Sequence, residues 1–293
     1  MKGEATQASP SGTPAYYPAL FLALWTTGFI GCKAGIAHSS ATAFLGLRFA
    51  LAAVVLTLVA MAMRAPWPRS AAEYARLAIA GVLIHAAYLG PNYYAASVGF
   101  PVGITALIGA LQPLLTAVLA NRFLGEQVSR KQWIGLLVGL AGIVMVLEDR
   151  IAFDSRLWFE ALLVGAGLVS LTVGTLYQRS RCGFQDLRTG AAVQLASAAL
   201  VMGAATAIVP YRVEWTPTFV GALGWLIVVS AVTYAIMHVL FLRGAAARVA
   251  SLFYLVPPMT SLVLYIFFDE RLGVLALAGM ALTIAGVALA MRK

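Results

Sequence analysis

The chain has 293 residues, of which 61% are hydrophobic and 11% are charged, and its formal net charge is +9. Because ordinary soluble domains carry about 25% charged residues, this composition excludes a water-soluble protein and indicates a membrane protein. Basic residues in short loops and contact with anionic membrane lipids explain the positive charge, so no nucleic-acid partner is expected.

Apolar stretches of about 20 residues, long enough to cross a bilayer, recur along nearly the whole chain. They predict an all-α membrane protein with ten transmembrane helices, which in chain order span 17–36, 41–63, 74–97, 101–121, 131–147, 156–178, 188–209, 217–242, 247–268 and 272–291. Residues 1–16 are expected to form a disordered cytoplasmic tail, because they are rich in Ser, Thr, Pro and Gly and lack the features of a cleavable signal.

The basic residues predict how these helices are oriented, since short cytoplasmic loops retain Lys and Arg. Fourteen of the twenty basic residues fall on the side of the N-terminus, four fall on the opposite side, and Lys33 and Arg48 lie inside helices. Both termini are therefore expected in the cytoplasm, and the protein is expected to be a multi-pass protein of the bacterial inner (plasma) membrane. Arg48 either binds a substrate carboxylate or bonds to carbonyls of neighbouring helices, whereas Lys33 is close enough to the outer surface to snorkel.

The second half of the chain repeats the first at a fixed offset of 144 residues. Residues 111–142 and 255–286 share Leu-x-Pro, Thr, Phe, Glu and two Gly at identical spacing. Because each half holds five predicted helices, an odd number, the halves must cross the membrane in opposite directions, as in inverted-repeat transporters. We therefore expect a first five-helix repeat over residues 17–148 and a second, inverted repeat over residues 156–291.

Polar and aromatic residues at helical spacing mark a candidate substrate cavity, because a polar side chain in a membrane favours the bundle interior or a water-filled path. His85, Tyr88 and Asn92 are predicted to share one face of the third helix. The candidate substrate-binding residues are Trp25, His85, Tyr88, Asn92, Gln112, Thr175, Tyr234, His238 and Tyr254. Hydrogen bonds between neighbouring helices are the alternative explanation for each of these side chains.

Prolines inside the predicted helices mark candidate hinges, since each removes a backbone hydrogen bond and crowds the preceding turn. The candidate hinge residues are Gly90, Pro91, Pro113, Pro257 and Pro258. Bending at these residues would produce alternating access, while a static kink that only shapes the cavity is the alternative. The glycines of the fifth and tenth helices form small-residue faces, which could pack between the repeats or between two protomers, so a monomer and a homodimer both stay open.

All eleven acidic residues fall in predicted tails, loops or helix ends. Because proton-driven transporters commonly place a carboxylate deep in the membrane, a facilitator without ion coupling is favoured, and a proton-coupled drug/metabolite exporter that uses His85 is the alternative. No metal site and no cofactor are expected, since the two cysteines lack CxxC spacing and the three histidines are not clustered with carboxylates. An enzyme is not expected either, because the sequence lacks GxSxG, HExxH, P-loop and dinucleotide motifs, and an intramembrane enzyme is kept as the alternative from another class.

Residues 123–126 (Phe-Leu-Gly-Glu), followed by Gly135 and by 141–143 (Ala-Gly-Ile), resemble the end-of-repeat signature of EamA-type transporters of the drug/metabolite transporter superfamily. Residues 269–271 and 285–287 resemble its second copy, and the overall pattern is most similar to YddG-type aromatic amino-acid exporters. The resemblance implies a ten-helix exporter of small metabolites. A largely apolar cavity with scattered polar groups fits amino acids, so the expected function is their export from the cytoplasm by alternating access.

Overall fold

A computed structural model describes residues 16–148, 157–183, 186–209, 211–243, 249–268 and 273–291. Nearly all of the predicted N-terminal tail lies outside these ranges, and so does the motif at residues 269–271. The ordered elements of the described part are helices, together with one isolated bridge between Ser39 and Val213.

The α-helices of the described part follow one another with short connections. They are α1 (Tyr17–Ile36), α2 (Ala41–Ala62), α3 (Ala71–Gly81), α4 (Ala87–Ser97), α5 (Val102–Gly109), α6 (Gln112–Leu124), α7 (Arg130–Leu147), α8 (Trp158–Tyr177), α9 (Leu187–Ala205), α10 (Pro217–Arg243), α11 (Val256–Phe268) and α12 (Val274–Met291). A π-helical turn, Val82–Ala86, joins α3 to α4, and another, Gln178–Cys182, follows α8. A 3-10 turn, Ser251–Leu255, leads into α11.

Many of these helices are long and apolar enough to cross a bilayer. Within the described ranges there are seven such segments: Tyr17–Ile36, Ala41–Ala62, Ile104–Leu124, Arg130–Leu147, Trp158–Cys182, Leu187–Ala205 and Val274–Met291. They coincide with predicted helices 1, 2, 4, 5, 6, 7 and 10, and the first part of α10 is a shorter apolar helix. The prediction of an all-helical membrane protein is confirmed, while the count of ten and the inverted repeat stay predictions.

The loop between α6 and α7 shows why the residues of the Phe-Leu-Gly-Glu signature are suited to their positions. Gly125 ends α6 in the left-handed conformation, with φ of 66°, which glycine adopts without steric cost. Glu126 then forms an ion pair with Arg179 in the π-helical turn that follows α8. Ser129 and Gln132 form a capping box that starts α7, in which each side chain bonds to the backbone N–H of the other. The signature therefore provides a helix stop and a contact with the second half, and the residues just after it provide the next helix start.

The two ends of α2 mark two faces of the molecule. At its start, the backbone N–H of Ser40 donates to the carbonyl of Arg212 at 2.9 Å, and that of Glu214 donates to the carbonyl of His38 at 2.8 Å. Beyond its other end, the Thr189 hydroxyl donates to the carbonyl of Pro66 at 2.9 Å. At each end of α2, the two loops that meet are loops that the basic residues assign to the same side of the membrane, and the two ends are assigned to opposite sides.

The glycine faces of α7 and α12 meet each other within the chain. A Cβ atom added at Gly135 would lie 2.5 Å from the backbone nitrogen of Ala290, and one added at Gly142 would lie 2.6 Å from the carbonyl oxygen of Gly279. Close backbone approach of this kind needs residues without side chains. Of the two uses that the sequence leaves open for these glycines, packing inside one chain is the one that the structure contains.

Candidate functional site

Two adjoining cavities lie among the helices, with volumes of about 110 Å³ and about 120 Å³. We call them the first cavity and the second cavity. Trp25, Tyr88, Asn92 and Thr105 line both cavities and form a shared wall. The first cavity extends from this wall toward α5, α8 and α11, and the second extends toward α2 and α10. Three of the predicted substrate-binding residues are thus brought together in the shared wall.

One side of the first cavity is a break in the predicted fourth helix. The sequence predicts a kink at Pro113, and here α5 ends at Gly109 and α6 begins at Gln112, while Ala110 and Leu111 between them keep right-handed helical dihedral angles. Pro113 is the second residue of α6, a position where proline is tolerated because the N–H that it lacks has no partner inside the helix. Pro257 likewise is the second residue of α11, and its side chain lines the first cavity. Both prolines therefore occupy the first turn of a helix whose first residue lines the first cavity, and their role as hinges stays a prediction.

Gln112 is the predicted site residue that the break brings into the first cavity. Its side chain is 1% exposed and lines the cavity. Neither its amide nitrogen nor its amide oxygen has a hydrogen-bond partner among the described residues. Buried amides in folded proteins are almost always hydrogen-bonded, so this side chain is suited to bind a polar group inside the cavity.

Arg48 lines the second cavity, although the sequence leaves its role open. Its side chain is 5% exposed, and Nη1 donates to the Tyr93 hydroxyl at 2.7 Å. The guanidinium carbon lies 5.9 Å from the centre of the Phe49 ring, which adds a cation–π contact. Arg48 is therefore fixed in the bundle interior with its charge at the cavity wall, and it does not snorkel to a membrane surface.

His85 is buried, but it is not among the residues that line either cavity. Its ring lies 5.8 Å from that of Phe49 and is hydrogen-bonded to Gln194 of α9. The sequence predicts one face for His85, Tyr88 and Asn92 by assuming a regular α-helix. His85 instead lies in the π-helical turn, whose wider winding rotates it away from the face of the other two.

Four further candidates lie outside the cavity walls or outside the described side chains. The Thr175 hydroxyl donates to the carbonyl of Thr172 at 2.9 Å, within its own helix. Tyr254 is fully buried, and its ring fills the space left by Gly139 on α7. The side chains of Tyr234 and His238 are not among those that the structure describes.

Several lining residues are missing from the sequence-based set. Phe253 meets Trp25 edge to face, with ring centres 5.0 Å apart, and lines the first cavity. Thr105 and Thr233 contribute hydroxyl groups. Thr233 is the neighbour of the predicted residue Tyr234, and periodicity alone does not fix the rotation of a helix to within one residue.

The amino-acid sequence of this chain is similar to the sequences of proteins named as transporters. Residues 15–148 match the EamA-like transporter family. The resemblance seen at residues 123–143 is confirmed by this match. An uncharacterized transporter of Bacillus subtilis, YvbV, is 26% identical over 97% of this chain and 93% of its own.

Two further relatives have names that describe amino-acid export. A probable terminal-alkyne amino-acid exporter of Streptantibioticus cattleyicolor is 27% identical, over 94% of this chain and 92% of its own. A probable amino-acid metabolite efflux pump of Escherichia coli is 24% identical, over 92% and 91%. One chain in a solved crystal structure has the same fold, with a TM-score of 0.78 over 94% of this chain and 95% of its own, at 20% identity.

Proposed function

We propose that this chain, whose residues 15–148 form an EamA-like transporter domain, exports amino acids and related small metabolites from the cytoplasm. Its relatives are named as transporters and not as enzymes, and this chain is likewise a transmembrane transporter and not an enzyme. The observation that carries the substrate class is the pair of adjoining cavities, whose shared wall combines Trp25 and Tyr88 with the amide of Asn92. Two relatives named for amino-acid export or efflux support the same class.

The lining of the two cavities suits amphipathic solutes that carry a small polar head. Most lining residues are apolar, and the polar groups are few and separate, which is the usual composition of a small-molecule site. The Trp25 and Phe253 rings offer an aromatic surface, which favours aromatic or flexible side chains. Quaternary cations fit poorly, because Arg48 places a positive charge at the wall of the second cavity.

Facilitated transport without ion coupling is the mechanism that we propose. The acidic residues of the described part lie in loops, at caps or in the first turn of a helix: Glu73, Glu126, Glu148, Glu160, Asp186 and Glu214. A carboxylate deep in the membrane, the usual proton carrier, is therefore not among them. The proton-coupled alternative depends on His85, which lies behind the cavity walls and is hydrogen-bonded to Gln194.

The proposed architecture is two inverted five-helix repeats, 17–148 and 156–291, with both termini in the cytoplasm of a bacterial cell. It is supported by the helix starts at Gln112 and Val256, which are 144 residues apart and line the same cavity. Pro113 and Pro257, at these helix starts, are the proposed hinges, together with Gly90 and Pro91 in α4 and Pro258 beside Pro257. Because α7 and α12 use their glycine faces on each other, we propose a monomer as the functional unit.

The substrate class is tested by replacing the aromatic wall in protein reconstituted into liposomes. We expect Trp25→Ala to weaken competition by tryptophan more than competition by threonine, by about twofold to tenfold. Trp225→Ala is the matched control, because this Trp of α10 is 46% exposed on the outside of the bundle. Equal loss for both amino acids in the Trp25 variant, or no flux of either in the parent protein, would count against the proposal.

A further inference from the structure

We infer that the break between α5 and α6 is the subsite that binds the carboxylate of the transported amino acid, with Gln112 as its side-chain donor. The inference rests on the proposed function, because it assigns one part of the same cavity to one end of the substrate. The subsite is the start of α6, which lies beside the largely apolar first cavity.

The start of α6 presents the positive end of a helix to the first cavity. This helix runs for 13 residues, and its first residue, Gln112, lines the cavity. The first N–H groups of a helix have no partner within it, and the helix dipole adds a partial positive charge at the same place. In a membrane, where water cannot supply partners, such a start is a ready site for an anionic group, as in transporters with discontinuous helices.

The Gln112 side chain independently indicates a polar ligand at the start of α6. It is 1% exposed, it borders the cavity, and both of its amide atoms are without a partner among the described residues. An amide left in this state costs free energy that one hydrogen bond from a ligand recovers. The Nε2 group can donate to a carboxylate oxygen at the same place where the helix start favours negative charge.

The equivalent helix start in the second half has different residues. At an offset of 144 residues, Gln112 corresponds to Val256, and Leu114 corresponds to Pro258. The first turn of α11 therefore contains Val256, Pro257 and Pro258, of which the two prolines have no N–H group. Val256 also has no side-chain donor. Although both helix starts border the first cavity, the α6 start is the one equipped to bind a carboxylate.

Arg48 is the cationic side chain among the residues that line the two cavities, and it lines the second one. It donates to the Tyr93 hydroxyl, so its orientation is set by α4. A carboxylate at the α6 start would lie in the first cavity, with the substrate side chain directed along Trp25. The two locations predict different results when each residue is changed separately.

The test compares tryptophan with tryptophanamide, which lacks the carboxylate, as competitors for labelled tryptophan exchange in proteoliposomes. In the parent protein we expect tryptophan to compete about tenfold to a hundredfold better, the effect of a charge-assisted hydrogen bond. Gln112→Leu should lower this ratio at least severalfold, and Arg48, which disfavours the cationic amide, accounts for the preference that is left. Gln112→Glu should invert it, because the added carboxylate repels tryptophan and attracts the cationic amide.

Gln132→Glu is the matched control, because Gln132 serves in the capping box of α7, where Glu is an accepted alternative. It should keep the parent ratio. A ratio that survives both Gln112 substitutions and is lost in Arg48→Gln would overturn the inference and assign the carboxylate to the second cavity. Equal competition by both compounds in the parent protein would also overturn it while leaving amino-acid transport in place. Absence of exchange with any amino acid would instead contradict the proposed function.

Discussion

Arg48 brings a buried positive charge to the wall of the second cavity, and this charge should exclude cations from the transport path. The side chain is 5% exposed and is fixed by its hydrogen bond to Tyr93. Charges act strongly in a medium of low dielectric, and a fixed Arg at a pore is a barrier to other cations. We therefore expect Arg48→Gln to raise the flux of lysine severalfold over that of the parent protein, as measured in proteoliposomes.

The control for this prediction is Lys33→Gln, because Lys33 is exposed on α1 and does not line either cavity. It removes the same formal charge and should leave the lysine flux unchanged. A lysine flux that is equally low in Arg48→Gln and in the parent protein would mean that the charge at this wall does not select substrates.

The side chains of the shared wall were largely predictable from the sequence. Trp25, Tyr88 and Asn92 are polar or aromatic residues in apolar helices, and such residues favour a cavity over lipid. His85 follows the same rule, yet it faces Gln194 because a π-helical turn changes the phase of its helix. For Arg48 the sequence left two roles open, substrate binding and bonding to neighbouring helices, because it does not show that Tyr93 holds the side chain at a cavity.

Among the helices, the start of α6 is the place where a proline controls the geometry of the cavity. Pro113 lacks the N–H that a continuous helix from α5 into α6 would need at this position. Pro113→Ala restores that N–H and lets the two helices join, so we expect the rate of transport to fall severalfold while protein abundance stays the same. Initial rates of exchange, divided by the amount of reconstituted protein, measure this change.

Pro217→Ala is the matched control, since Pro217 starts α10 and borders neither cavity. Its rate should equal that of the parent protein. An unchanged rate in Pro113→Ala would argue that the break only shapes the cavity and does not act as a hinge.

The contact between α7 and α12 depends on glycine at positions where a side chain does not fit. A Cβ atom at Gly135 would lie 2.5 Å from the backbone nitrogen of Ala290, so Gly135→Ala must push the two helices apart. We expect a loss of stability of about 1–3 kcal/mol, the usual effect of overpacking, seen as a lower melting temperature in detergent. Gly165→Ala in α8 should have little effect, because an added Cβ there meets nothing within 4 Å. Equal melting temperatures for the two variants would contradict this account of the contact.

Helix positions were predictable because apolar runs of sufficient length have few alternatives in a membrane. The internal breaks were not, since a proline within an apolar run can kink a helix or start a new one. Pro91 lies inside α4, whereas Pro113 and Pro257 start α6 and α11. The choice depends on the packing around each proline, which the sequence does not specify.

Across the described chain, the loop contacts join loops that the basic residues assign to the same side of the membrane. Ala37 and Ser180 are exposed residues, and their loops belong to opposite predicted sides. In a background where both native cysteines are replaced by serine, we expect Ser180→Cys to react with an impermeant maleimide only from the cytoplasmic side. Ala37→Cys should react only from the outside of spheroplasts. Labelling of both residues from one side would contradict the orientation that we propose.

The repeat of 144 residues was visible in the sequence because it needs only identical spacing of a few residues. The different roles of equivalent residues in the two halves could not be predicted from the sequence. Gln112 and Val256 occupy equivalent positions beside one cavity, but only the first has a side chain that can donate a hydrogen bond. Such differences matter at the level of single contacts, and three-dimensional placement is needed to recognise them.

The central claim, amino-acid export without ion coupling, is tested most directly by flux in proteoliposomes with and without a pH gradient. Labelled tryptophan and threonine are followed to equilibrium, and empty liposomes serve as the control. We predict saturable flux whose initial rate is the same with and without the gradient, and equal final concentrations inside and outside. Accumulation driven by the gradient would contradict the uncoupled mechanism, more so if His85→Ala abolished it, and the absence of flux for every amino acid would contradict the substrate class.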